Sequence, residues 1–169
     1  DKPLSPLILG TASYHPDQSH ACFALMDAYA DAGGTVIDTA PAYGESEQVV
    51  GRWLEHSKVR ERIILITKCG HGPDFTLRER DYPKMVRQEL ACSLEALRTD
   101  VLDLYMLHRD NLEIPVSTIL EPLNEAIQQG RVRALGASNW EYRRVSEANE
   151  YAAKHGLSGF VAVSNNLSL

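Results

Sequence analysis

The sequence lacks the features that define several protein classes. No apolar run approaches the roughly 18 residues that a membrane helix needs, and the opening DKPLSPLILG has no basic segment before an apolar one. Lysine and arginine number 17 against 23 acidic residues and form no basic cluster, so the net charge of −6 argues against a phosphate-backbone partner. These absences predict a cytoplasmic protein that binds neither nucleic acid nor a membrane.

Cysteine is also scarce. The three cysteines lie far apart in the chain and form no Cys-x-x-Cys pair: Cys22, Cys69 and Cys92. An odd, dispersed set fits reduced thiols better than a disulfide framework or a zinc knuckle. Cys92 falls within a predicted helix, where we expect it to pack in the core.

The sequence does contain a regular alternation of short apolar runs and amphipathic stretches, separated by turn residues. The apolar runs predict six strands, at residues 7–11, 36–39, 63–68, 102–108, 132–138 and 160–164. Amphipathic periodicity with end signals predicts five helices, at residues 19–34, 45–55, 83–97, 121–130 and 141–155. The sequence therefore predicts strands and helices that alternate along the chain.

This alternation is typical of a parallel sheet joined by right-handed crossovers. A dinucleotide-binding doubly wound sheet carries Gly-x-Gly-x-x-Gly after its first strand, whereas this chain has GTASYHPD. We therefore predict an α/β fold, a (β/α)8 TIM barrel, as a single domain over residues 1–169. Such a barrel takes roughly 250 residues, so the chain carries only about the first six strands. We expect the rest to come from a longer parent chain or from missing C-terminal strands.

Polar residues stand at the ends of four consecutive predicted strands: Asp38, Lys68, His108 and the pair Ser138-Asn139. In a barrel these ends surround one mouth, which is where catalysis is found. Taken singly, each has an ordinary explanation, such as a turn-forming acid, a solvated amine or a packed imidazole. Their recurrence at consecutive strand ends favours a shared pocket. In the block GGTVIDTAPAYGESE, the loop after Asp38 would place Tyr43 beside this pocket.

The chemistry of this set is specific. A phenol is a weak proton donor near neutral pH, but a neighbouring ammonium group stabilises the anion left behind. We expect Lys68 to act on Tyr43 in this way and the Asp38 carboxylate to keep Lys68 charged. An imidazole at the same mouth, His108, can donate a hydrogen bond to a carbonyl oxygen. The set predicts proton transfer to or from a carbonyl group.

Five blocks, in this order, resemble the aldo-keto reductase family: Gly10-Thr11, GGTVIDTAPAYGESE, ILITK, YMLHRD and GRVRALGASNW. The resemblance spans nearly the whole chain. It implies an oxidoreductase that reduces an aldehyde or ketone to an alcohol, or the reverse, with NADP(H) favoured over NAD(H). It also implies a catalytic tetrad of Asp38, Tyr43, Lys68 and His108, in which Tyr43 is the general acid.

The resemblance further implies how cofactor and substrate are held. The residues implied to contact the cofactor are Gly10, Thr11, Asp38, Ser138, Asn139 and Ser164. Ser138 and Asn139 would hold the nicotinamide carboxamide, while Ser164 stands at or near the place where the family usually has Gln. Tyr14 and Trp140 are candidates for the substrate wall, and either can instead be a packing residue.

Two other functions stay open. A non-catalytic, cofactor-binding sensor or regulatory subunit, like the potassium-channel β subunits, would keep the same barrel, although intact Tyr43 and Lys68 weigh against it. The candidate ligands of a barrel metal hydrolase are His15, His20, Cys22 and His71. These four residues lie before or between predicted helices rather than at strand ends with ligand spacing, so no metal site is predicted.

Overall fold

One parallel sheet organises the computed structural model, which describes residues 2–71 and 81–165. Within these residues the sheet has six strands: β1 (Ile8–Gly10), β2 (Val36–Asp38), β3 (Ile64–Cys69), β4 (Leu102–Leu107), β5 (Val132–Ser138) and β6 (Phe160–Ser164). Their order in the sheet is their order in the chain. The sheet curls into part of a barrel, so the predicted fold class is confirmed.

Five α-helices occur in the described residues: α1 (Ser19–Asp31), α2 (Ser46–Ser57), α3 (Tyr82–Leu97), α4 (Val116–Gln128) and α5 (Tyr142–His155). None of these five is long and apolar enough to cross a membrane. The predicted start of α4 is wrong by five residues. Pro122 lies inside the helix rather than in its first turn, since burial of Ile119, Leu120 and Leu123 holds the preceding turn in helical form.

The core lies between the outer face of the sheet and the helices. Its largest fully buried side chains include Trp53, Tyr105 and Leu107, and a smaller apolar cluster of Val36, Ile66 and Met106 fills the inner face. The prediction that Cys92 packs in this core is wrong, because Cys92 is exposed. The inward face of α3 is formed by residues such as Leu90 and Leu94. Cys92 lies two positions from each of them and therefore points away from that face.

A buried carboxylate joins several elements at the amino ends of the strands. Asp103, on β4, accepts a hydrogen bond from the Leu65 backbone N–H at 3.0 Å and from Lys2 Nζ at 3.0 Å. Arg60 Nη1 lies 2.8 Å and Arg133 Nη1 3.4 Å from the same carboxylate. Burial alone would raise the pKa of Asp103, but the Leu65 N–H, Lys2 and Arg60 together lower it below its ordinary value. The Asp103 cluster therefore stabilises this end of the sheet.

The two edge strands carry exposed apolar side chains. Ile8 on β1 is 57% exposed, and Val161 and Val163 on β6 are 74% and 51% exposed. Neighbouring Leu7 is also exposed. Apolar side chains beside unpaired strand edges are typical of surfaces that pack against further structure.

Candidate active site

A cavity of about 560 Å³ opens at the carboxyl ends of the strands. The predicted site residues that line it are Gly10, Asp38, Tyr43, Lys68, His108, Ser138, Asn139 and Ser164. The structure thus brings the predicted tetrad together with five of the six predicted cofactor residues, Asp38 belonging to both sets. They meet because parallel strands deliver their final residues to the same end of the sheet.

Lys68 lies at the centre of this group, and its side chain is 3% exposed. Its Nζ lies 2.7 Å from each carboxylate oxygen of Asp38, 3.0 Å from the backbone oxygen of Thr39 and 3.2 Å from Tyr43 Oη. An ammonium group has three hydrogens to donate, and these three partners account for them. The Lys68 side chain is therefore fixed both in position and in orientation.

Tyr43 reaches Lys68 from the loop between β2 and α2, where Pro41–Tyr43 forms a short 3-10 turn. Gly44 follows with φ of 67°, a left-handed conformation that glycine adopts without strain. Tyr43 Oη accepts the hydrogen bond from Lys68, and Lys68 Nζ also lies 4.9 Å from the centre of the Tyr43 ring. Among the described residues no acceptor takes the phenol's own hydrogen, which leaves it available to a molecule in the cavity.

His108 follows β4 and packs edge-on against Tyr43, with the ring centroids 5.7 Å apart. Burial, together with the positive charge of Lys68 and the neighbouring His71 and Arg109, lowers the pKa of His108 to about 4. The imidazole is therefore neutral near pH 7 and carries a single N–H. Its Nδ1 is buried and has no hydrogen-bond partner in the part of the chain that the structure describes.

Ser138 and Asn139 end β5 on the other side of the cavity. Asn139 adopts a left-handed conformation with φ of 58°, which Asn tolerates better than most residues. Its backbone N–H bonds to the Ser164 backbone oxygen at 3.0 Å, and its side-chain Nδ2 donates to Ser138 Oγ at 2.9 Å. An amide and two hydroxyl side chains are thereby held at the cavity wall.

Three of the predicted site residues do not line this cavity. Thr11 is fully buried, and its hydroxyl donates to the backbone oxygen of Asp38 at 3.0 Å. Tyr14 is buried in the main core, and Trp140 packs there against Phe160 with ring centroids 5.1 Å apart. These contacts favour the packing explanation for both aromatic residues, while their contact with a substrate stays a prediction.

The residues considered as metal ligands are not gathered in one place. In residues 2–71 and 81–165, no group of three or more His, Cys, Asp or Glu side chains is arranged to hold a metal ion. His71 instead lines the cavity, with its ring centroid 4.5 Å from that of His108. Arg109, for which the sequence pattern predicts no role, lines the cavity as well. Its place directly after the strand-end His108 is the signal that could have identified it.

Comparison with known proteins agrees with this geometry. The model of the Aldo/keto reductase family matches residues 6–169. The chain is 33% identical to norsolorinic acid reductase B of Dothistroma septosporum, over 94% of this chain and 45% of that protein. It is also 33% identical to an aryl-alcohol dehydrogenase of Pestalotiopsis microspora, over 82% of this chain and 38% of that protein.

A solved structure gives the same result. The glycerol dehydrogenase of Gluconobacter oxydans superimposes with a TM-score of 0.79 at 30% identity, covering 99% of this chain and 53% of that one. The chain thus spans about half the length of the relatives it matches. With the strand order, the strand-end side chains and the family match over residues 6–169 in agreement, the chain belongs to the aldo/keto reductase family.

Proposed function

We propose that the protein containing this chain is an NAD(P)H-dependent oxidoreductase that reduces an aldehyde or ketone to an alcohol, or catalyses the reverse reaction. The observation that carries the proposal is the environment of Tyr43 Oη. This oxygen accepts a hydrogen bond from Lys68 Nζ at 3.2 Å, and its own hydrogen has no acceptor among the described residues. That arrangement suits a general acid. Relatives named as a reductase and an alcohol dehydrogenase support the same class of reaction.

The cavity fits a nicotinamide cofactor, with NADP(H) favoured over NAD(H) in this family. The Ser138 hydroxyl, the Asn139 amide and the Ser164 hydroxyl present hydrogen-bonding groups that suit a carboxamide. Gly10 adds no side chain to the wall, and a Cβ built there would meet nothing within 4 Å, so there is space for a sugar beside Asp38. When bound, the nicotinamide supplies or accepts the hydride.

Tyr43 gives its proton to the carbonyl oxygen of the substrate, or takes one from an alcohol in the reverse direction. The Lys68 ammonium, 3.2 Å from Oη, stabilises the negative charge that develops on the phenol oxygen as the proton leaves. The Asp38 carboxylate, 2.7 Å from Nζ, balances the charge of an ammonium group whose side chain is 3% exposed. The three residues thus act as one unit.

His108 orients the substrate. The imidazole is neutral near pH 7 because burial and nearby cations lower its pKa to about 4, so it donates one hydrogen bond without adding a charge to the cavity. Its ring lies edge-on to that of Tyr43. A carbonyl oxygen placed between them can receive a hydrogen bond from the imidazole and the proton from the phenol.

Replacing Tyr43 with Phe in the intact protein tests this assignment. We expect turnover of a panel of aldehydes to fall at least ~10²-fold, with cofactor affinity nearly unchanged. Tyr142→Phe, at a tyrosine that is 83% exposed, is the matched control and should retain full turnover. If Tyr43→Phe kept most of its activity, the general-acid role would be wrong. If the unaltered protein bound cofactor but reduced no carbonyl, a sensor or regulatory role would replace the enzymatic one.

A further inference from the structure

Three hydroxyl groups form a continuous hydrogen-bonded chain behind the cavity. Ser46 Oγ lies 2.7 Å from Thr11 Oγ1, 2.8 Å from the Thr11 backbone oxygen and 3.0 Å from Thr39 Oγ1. Thr11 Oγ1 in turn donates to the backbone oxygen of Asp38 at 3.0 Å. All three hydroxyl-bearing residues have no exposed surface. We call Thr11, Thr39 and Ser46 the hydroxyl chain.

The direction of this chain follows from its hydrogens. Each hydroxyl has one hydrogen to donate. Thr11 donates to Asp38 and Ser46 donates to Thr11, so the remaining contact must be a donation from Thr39 Oγ1 to Ser46 Oγ. Every hydroxyl in the chain therefore has a defined role. Loss of the Ser46 hydroxyl leaves the buried Thr39 hydroxyl without this acceptor, and loss of the Thr39 hydroxyl removes the side-chain link between Thr39 and Ser46.

The hydroxyl chain connects the two ends of the segment that carries Tyr43. Thr39 is the last residue before residues 40–45, and Ser46 is the first residue after them and the first of α2. The Ser46 hydroxyl connects α2 to the sheet rather than bonding within its own helix. Its partners are Thr11, which follows β1, and Thr39, which follows β2. The loop is closed at its base by a buried hydrogen bond.

Thr39 also touches the proposed proton-transfer group directly. Its backbone oxygen accepts a hydrogen bond from Lys68 Nζ at 3.0 Å, and its backbone N–H donates one to the Ile66 backbone oxygen at 2.9 Å. Thr39 thus contacts Lys68 through its backbone and Ser46 through its side chain. A shift of Thr39 would change the place of both Lys68 and the Tyr43 loop.

From these contacts we infer that Thr39 and Ser46 are positioning residues, which hold Tyr43 Oη against Lys68 Nζ through the hydroxyl chain. The inference rests on the proposed function, since the contact it protects is the one assigned to proton transfer. Displacements of about 1 Å in a reacting group can lower a rate roughly 10²-fold, whereas cofactor binding through Ser138 and Asn139 would be unaffected. The expected signature is a loss in kcat without a loss in cofactor affinity.

The test compares two substitutions of Thr39 in the intact protein. Thr39→Val keeps the shape of the side chain and removes the hydroxyl, while Thr39→Ser keeps the hydroxyl and removes a methyl group. We expect Thr39→Val to lower kcat for aldehyde reduction roughly 10- to 100-fold, with the dissociation constant for the nicotinamide cofactor unchanged, and Thr39→Ser to retain kcat within about threefold. Ser46→Ala should resemble Thr39→Val.

Ser57→Ala is the matched control, because Ser57 lies at the far end of α2 and its hydroxyl donates to the Trp53 backbone oxygen of its own helix at 2.7 Å. It should leave kcat unchanged. Full kcat in Thr39→Val would overturn the inference, and so would equal losses in Thr39→Val and Thr39→Ser, since packing would then be the cause. Should Ser46→Ala fail to fold, the Thr39 pair still decides. Failure of the proposed function would be visible separately, because Tyr43→Phe would then keep the turnover of the unaltered protein.

Discussion

The Nζ atom of Lys68 lies 2.7 Å from both carboxylate oxygens of Asp38, so the ends of β3 and β2 are joined by a symmetric ion pair. The Lys68 side chain is almost fully buried, whereas that of Asp38 is about one-fifth exposed, at 21%. A buried ammonium is costly unless paired, and here the pair also directs a third hydrogen towards Tyr43. Structure and proposed chemistry depend on the same contact.

Replacement of Lys68 by Met keeps the side-chain length and removes the charge. We expect carbonyl reduction at neutral pH to fall at least ~10²-fold, because nothing would then stabilise the Tyr43 anion. Asp38 would lose its partner, and the free energy of unfolding should fall by roughly 3 kcal/mol, measured by chemical denaturation. Lys84→Met, at an exposed lysine of α3, should change neither quantity. Normal activity with unchanged stability would show that Lys68 is only a strand-end residue.

His108 should make folding sensitive to acid. Burial lowers its pKa from 6.5 to about 4, so between these values the unfolded chain binds a proton that the folded chain does not. Stability from this group is therefore complete above about pH 6.5 and declines as the pH falls towards 4, by at most about 3 kcal/mol. His108→Gln should remove this pH-dependent contribution. The measurement compares the free energies of unfolding of the wild type and the variant at each pH. Parallel curves would contradict the prediction.

Asp103 should contribute to stability but not to catalysis. It lies five residues before His108, roughly 16 Å along the strand, so Asp103→Asn should leave kcat unchanged. The substitution removes the charge that Lys2, Arg60 and Arg133 share, and should lower the free energy of unfolding by roughly 3 kcal/mol. Asp100→Asn, at an exposed position nearby, should change it by no more than about 0.5 kcal/mol.

The Asp103 contribution also has a defined pH dependence. Its pKa is lowered in the folded state, so as the pH falls the unfolded chain takes up the proton first. The stabilisation is full above the ordinary pKa of an aspartate, about 4, and is lost as the pH falls through the lower folded value. Wild-type and Asp103→Asn stabilities should therefore converge in acid, and a difference that stayed constant down to pH 2 would contradict this account.

Residues 1–169 expressed by themselves should not reduce carbonyls. The apolar side chains on the edges of β1 and β6, such as Ile8 and Val161, would stay exposed and favour association. Cofactor binding would also lack contacts from the other half of an eight-stranded barrel. The measurement is nicotinamide oxidation with a panel of aldehydes, compared with a chimera that appends the second half of a relative's barrel. Equal turnover by both proteins would show that the prediction is wrong.

Much of the fold could be predicted because its signals are local. Within residues 2–71 and 81–165, apolar runs indicated each strand to within one residue at either end. Parallel strands necessarily bring Asp38, Lys68 and His108 to one end of the sheet. Prediction was wrong at two places in the helices: the start of α4 was placed at residue 121 instead of Val116, and Cys92 was expected in the core but is exposed. Neither the apolar pattern nor a turn signal distinguishes such cases.

The hydroxyl chain could not be predicted at all. Thr11 and Ser46 are 35 residues apart, and a buried hydroxyl leaves no periodic pattern in a sequence. Asp103 was missed for a similar reason, since its partners come from separate parts of the chain and only their convergence in space reveals them. Through-space polar contacts of this kind depend on rotamers and on the packing of distant elements.

The position of the Asp103 cluster has a consequence for evolution and engineering. The cluster secures the sheet at the end opposite to the cavity, so loops around the cavity can be exchanged without touching the charges that hold the strands together. Proteins to which this chain is similar carry names as different as norsolorinic acid reductase and glycerol dehydrogenase. Libraries aimed at a new substrate should therefore vary cavity residues such as His71 and Arg109, and leave the opposite end of the sheet unchanged.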